Sequence, residues 1–277
     1  MRIMYKLEYP LSMLYFACRS LMLNLPYPNY LPLSISPSWF GLIVAVCVLK
    51  MNPRCRNFFA TRVVRPTVTS VFDLAYRKTR KETLQALNGV VSYDDELNEA
   101  DTIRVLELGI GTGANFKYIH RAIRLVAVEP NLALQKSMLK ALEAFPNIVL
   151  EGVLGAFGEN MVMVPSESVD AVVITHVLCS VTDVGQVLFE IKRVLVPGGK
   201  LIFMEHVAYP DHTCAFTIQK ALEPIAYLIS CPCDMRRRSD AAILEAGFAC
   251  VSMREAYIPV LSTFQRHIYG VATKDTR

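Results

Sequence analysis

The stretch Val105-Leu-Glu-Leu-Gly-Ile-Gly-Thr-Gly-Ala-Asn115 decides the fold of this chain. It begins as an apolar run of the kind that forms a buried strand, and it then places Gly109, Gly111 and Gly113 at alternate positions. Glycines let a backbone turn sharply and approach a ligand closely, and ligands of open α/β sheets bind where the strands end. The stretch therefore predicts a strand followed by a ligand-binding turn.

Four further short apolar runs follow, separated by helical segments. The five runs are IRVLEL (103–108), LVAVEP (125–130), NIVLEG (147–152), VDAVVIT (169–175) and GKLIFME (199–205). Strands that alternate with helices and read as continuous apolar runs are typical of a parallel sheet covered on both faces. We therefore predict an α/β fold with a Rossmann-like sheet.

The glycine turn by itself leaves two kinds of ligand open. Gly109, Gly111 and Ala114 fit the spacing of a dinucleotide site, so a nicotinamide or flavin oxidoreductase is one interpretation. However, Glu107 lies just before the turn, where a carboxylate favours a cationic ligand and disfavours a pyrophosphate. Glu129 ends the next strand twenty residues after Gly109, where an acid accepts hydrogen bonds from ribose hydroxyls of either kind of nucleoside.

A Pro197-Gly-Gly199 turn before the last buried run completes a pattern that resembles the class I adenosylmethionine-dependent methyltransferases. Outside these shared motifs the chain resembles the methyltransferase-like 7 group, membrane-bound thiol S-methyltransferases. The segments that carry this closer resemblance are GTGANF (111–116), GENM (158–161), VLCSV (177–181), FMEHV (203–207) and HIYG (267–270). The resemblance runs from about Val105 to Lys274, and it implies S-adenosyl-L-methionine as the cofactor.

The resemblance also assigns site residues. Glu107, Gly109, Gly111 and Gly113 are expected around the methionine part of the cofactor, and Glu129 at the ribose. The segment Phe157, Gly158 and Glu159 falls where many class I enzymes place an adenine-contacting Asp, but Phe157 stands at that position. Adenine is therefore expected to be held by stacking and backbone groups, or by Glu159 or Asn160. Thr175 and His176 follow the fourth run, where cofactor and acceptor normally meet.

Methyl transfer to a thiol needs positioning, exclusion of water and a way to form the thiolate. A thiol with a pKa near 8.5 is only a few per cent ionised at neutral pH, so a neighbouring base would help. His176 and His206 are the candidate catalytic bases, with Glu205 as a group that could orient His206. Either histidine could equally be a structural one.

The cysteines do not suggest a cysteine nucleophile or a metal site. Direct transfer needs no enzyme cysteine, so Cys179 is expected to be buried packing. Cys231-Pro-Cys233 lacks the spacing of a redox or zinc pair, and the five histidines are expected to form no ligand cluster with it. The eight cysteines show no secreted framework, so reduced thiols and no metal are expected.

Charge divides the chain into two parts. Of its 277 residues, 53% are hydrophobic; residues 1–81 carry 12 basic and 2 acidic side chains, and the remainder carries 17 and 23. This distribution excludes a uniform basic coat suited to nucleic acid. A basic end that is also strongly apolar favours contact with anionic lipid headgroups.

The apolar end predicts a membrane-anchoring region over residues 1–53. Its best helical piece runs from Ser36-Pro37 to Asn52-Pro53, about 15 residues at about 1.5 Å each, which falls short of the roughly 30 Å of a hydrocarbon core. A steep insertion, a shallow interfacial helix and half of a re-entrant pair are therefore as plausible as a full span.

Basic residues directly after this piece orient it. Five lie between Lys50 and Arg65, which by the positive-inside rule places everything downstream on the cytosolic side. The endoplasmic reticulum and lipid droplets are the expected membranes, because both accept a hairpin or interfacial anchor with a cytosolic body. A cleaved signal peptide is the competing interpretation, weakened by Arg19 within the apolar run at 11–25.

Residues 54–100 are predicted to form a basic helical linker and N-terminal helix, and 101–277 the methyltransferase domain. In the linker, Lys78, Arg80, Lys81 and Glu82 are expected on the solvent side, and residues 92–101 form a loop. An apolar insertion at 212–235 could cover an acceptor pocket or lie on the bilayer, and the basic triplet 236–238 could meet lipid phosphates or an anionic acceptor.

Together these observations predict a membrane-associated methyltransferase that acts on small or lipophilic thiols. A quinone or lipid methyltransferase and an inert membrane protein with a methyltransferase fold stay open as alternatives.

Overall fold

The computed structural model describes Asn52 and residues 65–230, 233–258 and 265–276, all within one compact unit, Val46–Arg277. In chain order, the elements described are α1 (Arg65–Gln85), a 3-10 helix (Ala86–Gly89), α2 (Asp95–Glu99), β1 (Ile103–Leu108), a 3-10 helix (Phe116–Tyr118), β2 (Ile123–Val128), α3 (Leu132–Leu142), β3 (Ile148–Leu154), β4 (Val169–Thr175), α4 (Val184–Val194), β5 (Leu195–His206), α5 (Cys214–Ser230), α6 (Ser239–Glu245), β6 (Cys250–Tyr257) and β7 (Arg266–Thr273).

The strands form one seven-stranded sheet in the order β3-β2-β1-β4-β5-β7-β6. The first five strands pair in parallel, and β7 runs antiparallel between β5 and β6. The strand order reverses between β1 and β4, and in open α/β sheets ligands bind at this switch point, beyond the carboxyl ends of the strands. The predicted Rossmann-like α/β sheet is confirmed.

Two apolar cores cover the two faces of this sheet, because successive side chains of a strand point to opposite faces. In β1, Val105 belongs to one core and Leu106 to the other; in β4, Val173 and Val172 divide in the same way. The continuous apolar runs of the sequence are therefore strands that are buried on both faces.

The segment before β1 belongs to the same packed body. Leu84, Leu87 and Val90 lie in the core that also contains β1 and β2. Asp170, buried at the start of β4, connects residues 92 and 93 to the sheet. Its carboxylate accepts hydrogen bonds from the hydroxyl of Ser92 (2.8 Å) and from the backbone N–H groups of residues 93 and 104 (2.7 Å each). Part of the predicted linker thus shares the core of the sheet domain.

Three local expectations differ from the structure. Arg80, expected on the solvent side of the helix, is buried and pairs with Asp73 at 3.1 Å. The expected loop at 92–101 contains α2, which Asp94 caps by accepting a hydrogen bond from the N–H of Leu97. The Pro-Gly-Gly turn lies inside β5, where the register against β4 shifts and Gly198 has a φ of +74°.

The predicted membrane anchor, residues 1–53, lies outside the described residues except for Asn52. Within the part of the chain that is described, no helix is both long and apolar enough to cross a bilayer. The insertion predicted at 212–235 contains α5, between β5 and β6.

Candidate active site

The glycine turn leaves β1 at the switch point of the sheet. Gly109, Gly111 and Gly113 have φ values of +67°, +58° and +79°, a backbone region that side chains other than glycine rarely adopt. At Gly109 a Cβ would lie 2.8 Å from Val177, and at Gly113 it would overlap the ring of Phe116. At Gly111 the nearest atom to such a Cβ is 3.9 Å away, so this part of the turn borders open space that a ligand can use.

Glu107 lies under this turn in a buried polar group. The side-chain amide of Asn115 donates hydrogen bonds to Glu107 Oε1 (2.7 Å) and to Thr175 Oγ1 (3.1 Å), which links the ends of β1 and β4. Burial raises the pKa of Glu107 to about 7, against the opposing effects of the Asn115 hydrogen bond and the Arg80 charge. Oδ1 of Asn115 is buried and accepts no hydrogen bond from any residue in the described ranges, so it is available to a bound donor.

Glu129 connects the turn to the end of β2. Its Oε2 accepts a hydrogen bond from the N–H of Gly111, and its Oε1 accepts one from the N–H of Asn131, both at 3.0 Å. Each carboxylate oxygen has a second lone pair. The side chain can therefore brace the turn and still accept hydrogen bonds from ribose hydroxyls, as the sequence analysis predicts.

The three residues predicted near adenine have different surroundings. Phe157 is 69% exposed and has a free ring face for stacking. Gly158 is buried, and a Cβ there would lie 2.9 Å from Leu108. Glu159 Oε1 accepts a hydrogen bond from the N–H of Thr182 (2.7 Å), so this carboxylate already stabilises the loop before α4. Of the three, Phe157 suits a base-stacking role best, and all three assignments stay predictions.

These features fit an adenosylmethionine cofactor. Gly111 leaves room for close approach, Asn115 has an unused buried acceptor, and Glu107 and Glu129 place carboxylates at the ends of adjacent strands. Such a site suits a ligand that carries a positive charge and a ribose.

Histidines meet at the ends of the next strands. His176, at φ +58°, has its Nε2 3.1 Å from His267 Nε2, and its ring is 6.2 Å from the ring of His206, centroid to centroid. Tyr76 of α1 packs against His176 at 4.8 Å and against His267 at 5.3 Å. A non-glycine residue at positive φ is strained, and such residues cluster at functional sites.

Burial sets the protonation of two of these histidines. Together with the neighbouring His267 and His206, burial holds the pKa of His176 well below its ordinary value. Burial also lowers the pKa of His267 to about 4. At neutral pH both rings are therefore neutral, and one of the two facing Nε2 atoms carries the shared proton.

Cysteines surround His206 on its other side. His206 Nε2 lies 2.8 Å from Cys233 Sγ, and the ligand atoms of Cys179, His206 and Cys233 are all within 4.8 Å of one another. The expectation that no histidine clusters with the Cys231-Pro-Cys233 segment is therefore wrong for Cys233. The signal was not visible in the sequence, because 27 and 54 residues separate Cys233 from its two partners.

Glu205 is the residue before His206 and is completely buried. Its Oε1 accepts a hydrogen bond from the N–H of Val177 (2.8 Å), so it holds the backbone just after His176. Burial, with a contribution from Cys179, raises the pKa of Glu205 to about 8.

Two other groups singled out in the sequence have structural contacts. The hydroxyl of Tyr269, in the HIYG segment, donates to Glu82 Oε2 (3.0 Å) and joins β7 to α1. The basic triplet pairs with nearby acids: Arg236 with Glu223 at 2.6 Å, Arg237 with Asp234 at 3.5 Å and Arg238 with Asp240 at 3.2 Å.

Comparison with known proteins places this site in a family. Residues 106–203 match the family described as "Methyltransferase domain". Thiol S-methyltransferase TMT1A of Homo sapiens is 35% identical over 221 residues, which cover 79% of this chain and 87% of that protein. Thiol S-methyltransferase TMT1B of Rattus norvegicus is 33% identical, over 80% of this chain and 88% of that protein.

Solved structures agree on the fold. A SAM-dependent methyltransferase from Thermotoga maritima superposes with a TM-score of 0.52 at 16% identity, over 79% of this chain and 99% of that one. The N-methyltransferase NodS from Bradyrhizobium japonicum superposes with a TM-score of 0.51 at 13% identity, over 73% of this chain and 97% of that one. With the sequence relatives and the geometry of the turn, these findings show that the chain belongs to the family of TMT1A and TMT1B and is a class I methyltransferase that uses S-adenosyl-L-methionine.

Proposed function

We propose that this enzyme methylates the sulfur of small or lipophilic thiols at the cytosolic face of a membrane. The likeness to TMT1A and TMT1B carries the proposal, because their names specify a thiol as the methyl acceptor. The cluster of His176, His206 and His267 beside the glycine turn supports it, since ionising a thiol requires groups that can take up a proton.

Each part of the site has a separate task. Bound at the turn, S-adenosyl-L-methionine supplies a methyl group on a sulfonium, which is already an activated leaving group. Glu107, Gly111 and Glu129 hold this cofactor, and Asn115 joins the turn to Thr175 at the end of β4. The acceptor sulfur then approaches from the side of β4 and β5, where buried side chains exclude water.

His176 and His206 are the proposed proton acceptors. His176 is neutral at neutral pH, so its ring has a nitrogen lone pair, and its contact with His267 lets a second ring share the proton. Tyr76 packs against both rings and holds them in place.

The identity of the methyl acceptor is tested with purified full-length protein and cofactor labelled on the methyl group. We expect a labelled thioether with an alkanethiol and no product with the alcohol and amine of the same carbon skeleton. Glu129→Ala should lower both cofactor affinity and turnover, whereas Glu99→Ala, at an exposed position outside the site, should change neither. Labelling of a quinone or a phospholipid without labelling of thiols would refute thiol specificity, and no cofactor binding by calorimetry would favour an inert protein.

Membrane placement is a separate part of the proposal and has a separate test. The full chain is mixed with vesicles of phosphatidylcholine, with and without phosphatidylserine, and floated in a density gradient. The basic residues at 50–65 predict flotation that increases with phosphatidylserine and decreases with salt. A chain that stays in solution with both vesicles would contradict membrane association.

A further inference from the structure

The side chains of Cys179, His206 and Cys233, here called the Cys-His-Cys cluster, come from three separate parts of the chain. Cys179 follows β4, His206 ends β5, and Cys233 follows the segment of α5. Cys179 and His206 are buried and Cys233 is partly buried. Neither Cys179 nor Cys233 is in a disulfide.

Backbone hydrogen bonds hold the cluster together. The N–H of Asp234 donates to the carbonyl oxygen of Cys179 (2.8 Å), which fixes Cys233 beside Cys179. The guanidinium of Arg237 donates to the carbonyl oxygen of Val181 (2.9 Å), a second tie between the same two segments. These two hydrogen bonds therefore keep the three side chains close together, although their segments are far apart in sequence.

The donor atoms are those of a zinc site. Two cysteine sulfurs and one imidazole nitrogen are typical zinc ligands, and three protein ligands leave a fourth position for water or substrate. Tetrahedral bonds of about 2.3 Å to sulfur place two sulfurs about 3.8 Å apart, so a mutual spacing within 4.8 Å needs shifts of about 1 Å or less. Two thiolates also neutralise the charge of Zn²⁺, which suits a buried position.

The cluster also lies next to the methyl-transfer site. Cys179 Sγ is 3.5 Å from the carbonyl oxygen of His176, and the ring of His206 stacks on that of His176. His176 directly follows Thr175, which Asn115 links to Glu107 below the glycine turn. A ligand in the fourth position can therefore face the reacting centre.

We propose that Cys179, His206 and Cys233 bind Zn²⁺ and that the acceptor thiol occupies the remaining position as a thiolate. This assignment rests on the proposed thiol specificity, and it reverses the expectation of no metal. On binding, the S–H bond breaks, its proton passes to solvent and a sulfur–zinc bond forms; with the metal bound, His206 is a zinc ligand and no longer a proton acceptor. In the transfer, a sulfur lone pair forms the new carbon–sulfur bond, the methyl–sulfonium bond breaks with its electrons left on the cofactor sulfur, and the neutral thioether leaves the metal.

Metal content is the first measurement. The full chain, purified without chelators, should contain about one zinc ion per chain, and both Cys179→Ser and Cys233→Ser should lower this at least roughly tenfold. The matched control is Cys250→Ser, which removes an exposed cysteine at the opposite end of the sheet and should leave the zinc content unchanged. Absence of zinc from the wild type, retention of zinc by both cluster variants, or a Cys179–Cys233 disulfide in its place would overturn the proposal.

Cobalt substitution tests the fourth position in the unaltered chain, so it does not depend on the folding of the variants. Co²⁺ should show a thiolate charge-transfer band, and its visible bands should shift on addition of an alkanethiol but not of the matching alcohol. Bands that do not respond to the thiol would overturn substrate coordination. Zinc bound without thiol methylation would refute the proposed function, and with it the thiolate in the fourth position, but not the metal site. Thiol methylation by a chain freed of zinc would refute this inference alone.

Discussion

Replacing Glu107 with glutamine is expected to make the cofactor-free protein more stable at alkaline pH. Burial raises the pKa of Glu107 from 4.5 to about 7. A carboxyl group with a raised pKa in the folded state stabilises the protein below pH 4.5, and this contribution is lost as pH rises to 7, because the folded chain binds more protons than the unfolded chain over that interval. Glutamine does not titrate, so the variant keeps the stability that the wild type loses as the pH rises.

The size of the effect follows from the pKa shift. A shift of about 2.5 units at about 1.4 kcal/mol each corresponds to about 3 kcal/mol in the free energy of unfolding above pH 7. Near pH 5 only about 1 kcal/mol of this difference has developed. Urea denaturation followed by circular dichroism at pH 5 and pH 8 measures both values. The control is Glu99→Gln, which removes one carboxylate from an exposed position.

The same substitution should weaken binding of the cationic cofactor by roughly 10- to 100-fold, the usual effect of losing a charged hydrogen-bonding partner. In the wild type, cofactor affinity should increase with pH up to about 7, as Glu107 ionises, and the glutamine variant should lack this dependence. Titration calorimetry at several pH values measures both. The reasoning is refuted if the stability difference between wild type and variant is the same at pH 5 and pH 8, or if the variant binds cofactor with the affinity and pH profile of the wild type.

Two further substitutions test how the site is held in place. Gly113→Ala should lower the free energy of unfolding by about 2 to 4 kcal/mol, because alanine is strained at this positive φ and its Cβ overlaps Phe116. Thermal melting measures this against the control Gly152→Ala, whose Cβ would meet no atom within 4 Å. Equal melting midpoints for the two variants would contradict the prediction. Asp170→Asn should lower the free energy of unfolding, measured by urea denaturation, by about 3 kcal/mol. An NH2 group, which donates, replaces one of the two oxygens that accept buried hydrogen bonds. A change below about 1 kcal/mol would show that the hydrogen bonds of Asp170 do not anchor the segment before β1.

The cofactor half of the site was predictable because its signals are local. The glycine turn of 109–113 directly follows a strand, and Glu129 ends the next one, so the residues predicted around the methionine and ribose parts of the cofactor lie within about twenty-five positions. Parallel strands bring their carboxyl ends to one edge of the sheet, which is sufficient to place Glu107 and Glu129 at the same edge, with Glu129 two residues beyond the partner of Glu107. Arg80 shows the limit of such patterns, because helical periodicity did not reveal that Asp73 would allow its burial.

What the sequence alone determined is therefore the sheet and its ligand-binding edge, since backbone conformation and apolar periodicity act over short distances, whereas the class of cofactor came from the resemblance to class I methyltransferases. Only the tertiary structure decided what faces that cofactor. The antiparallel insertion of β7 beside β5 pairs His267 with His206, and the hydrogen bond from Asp234 to Cys179 brings Cys233 to the same place. With the His176–His267 contact, which joins residues 91 positions apart, they depend on strand order and chain closure, which no local pattern encodes.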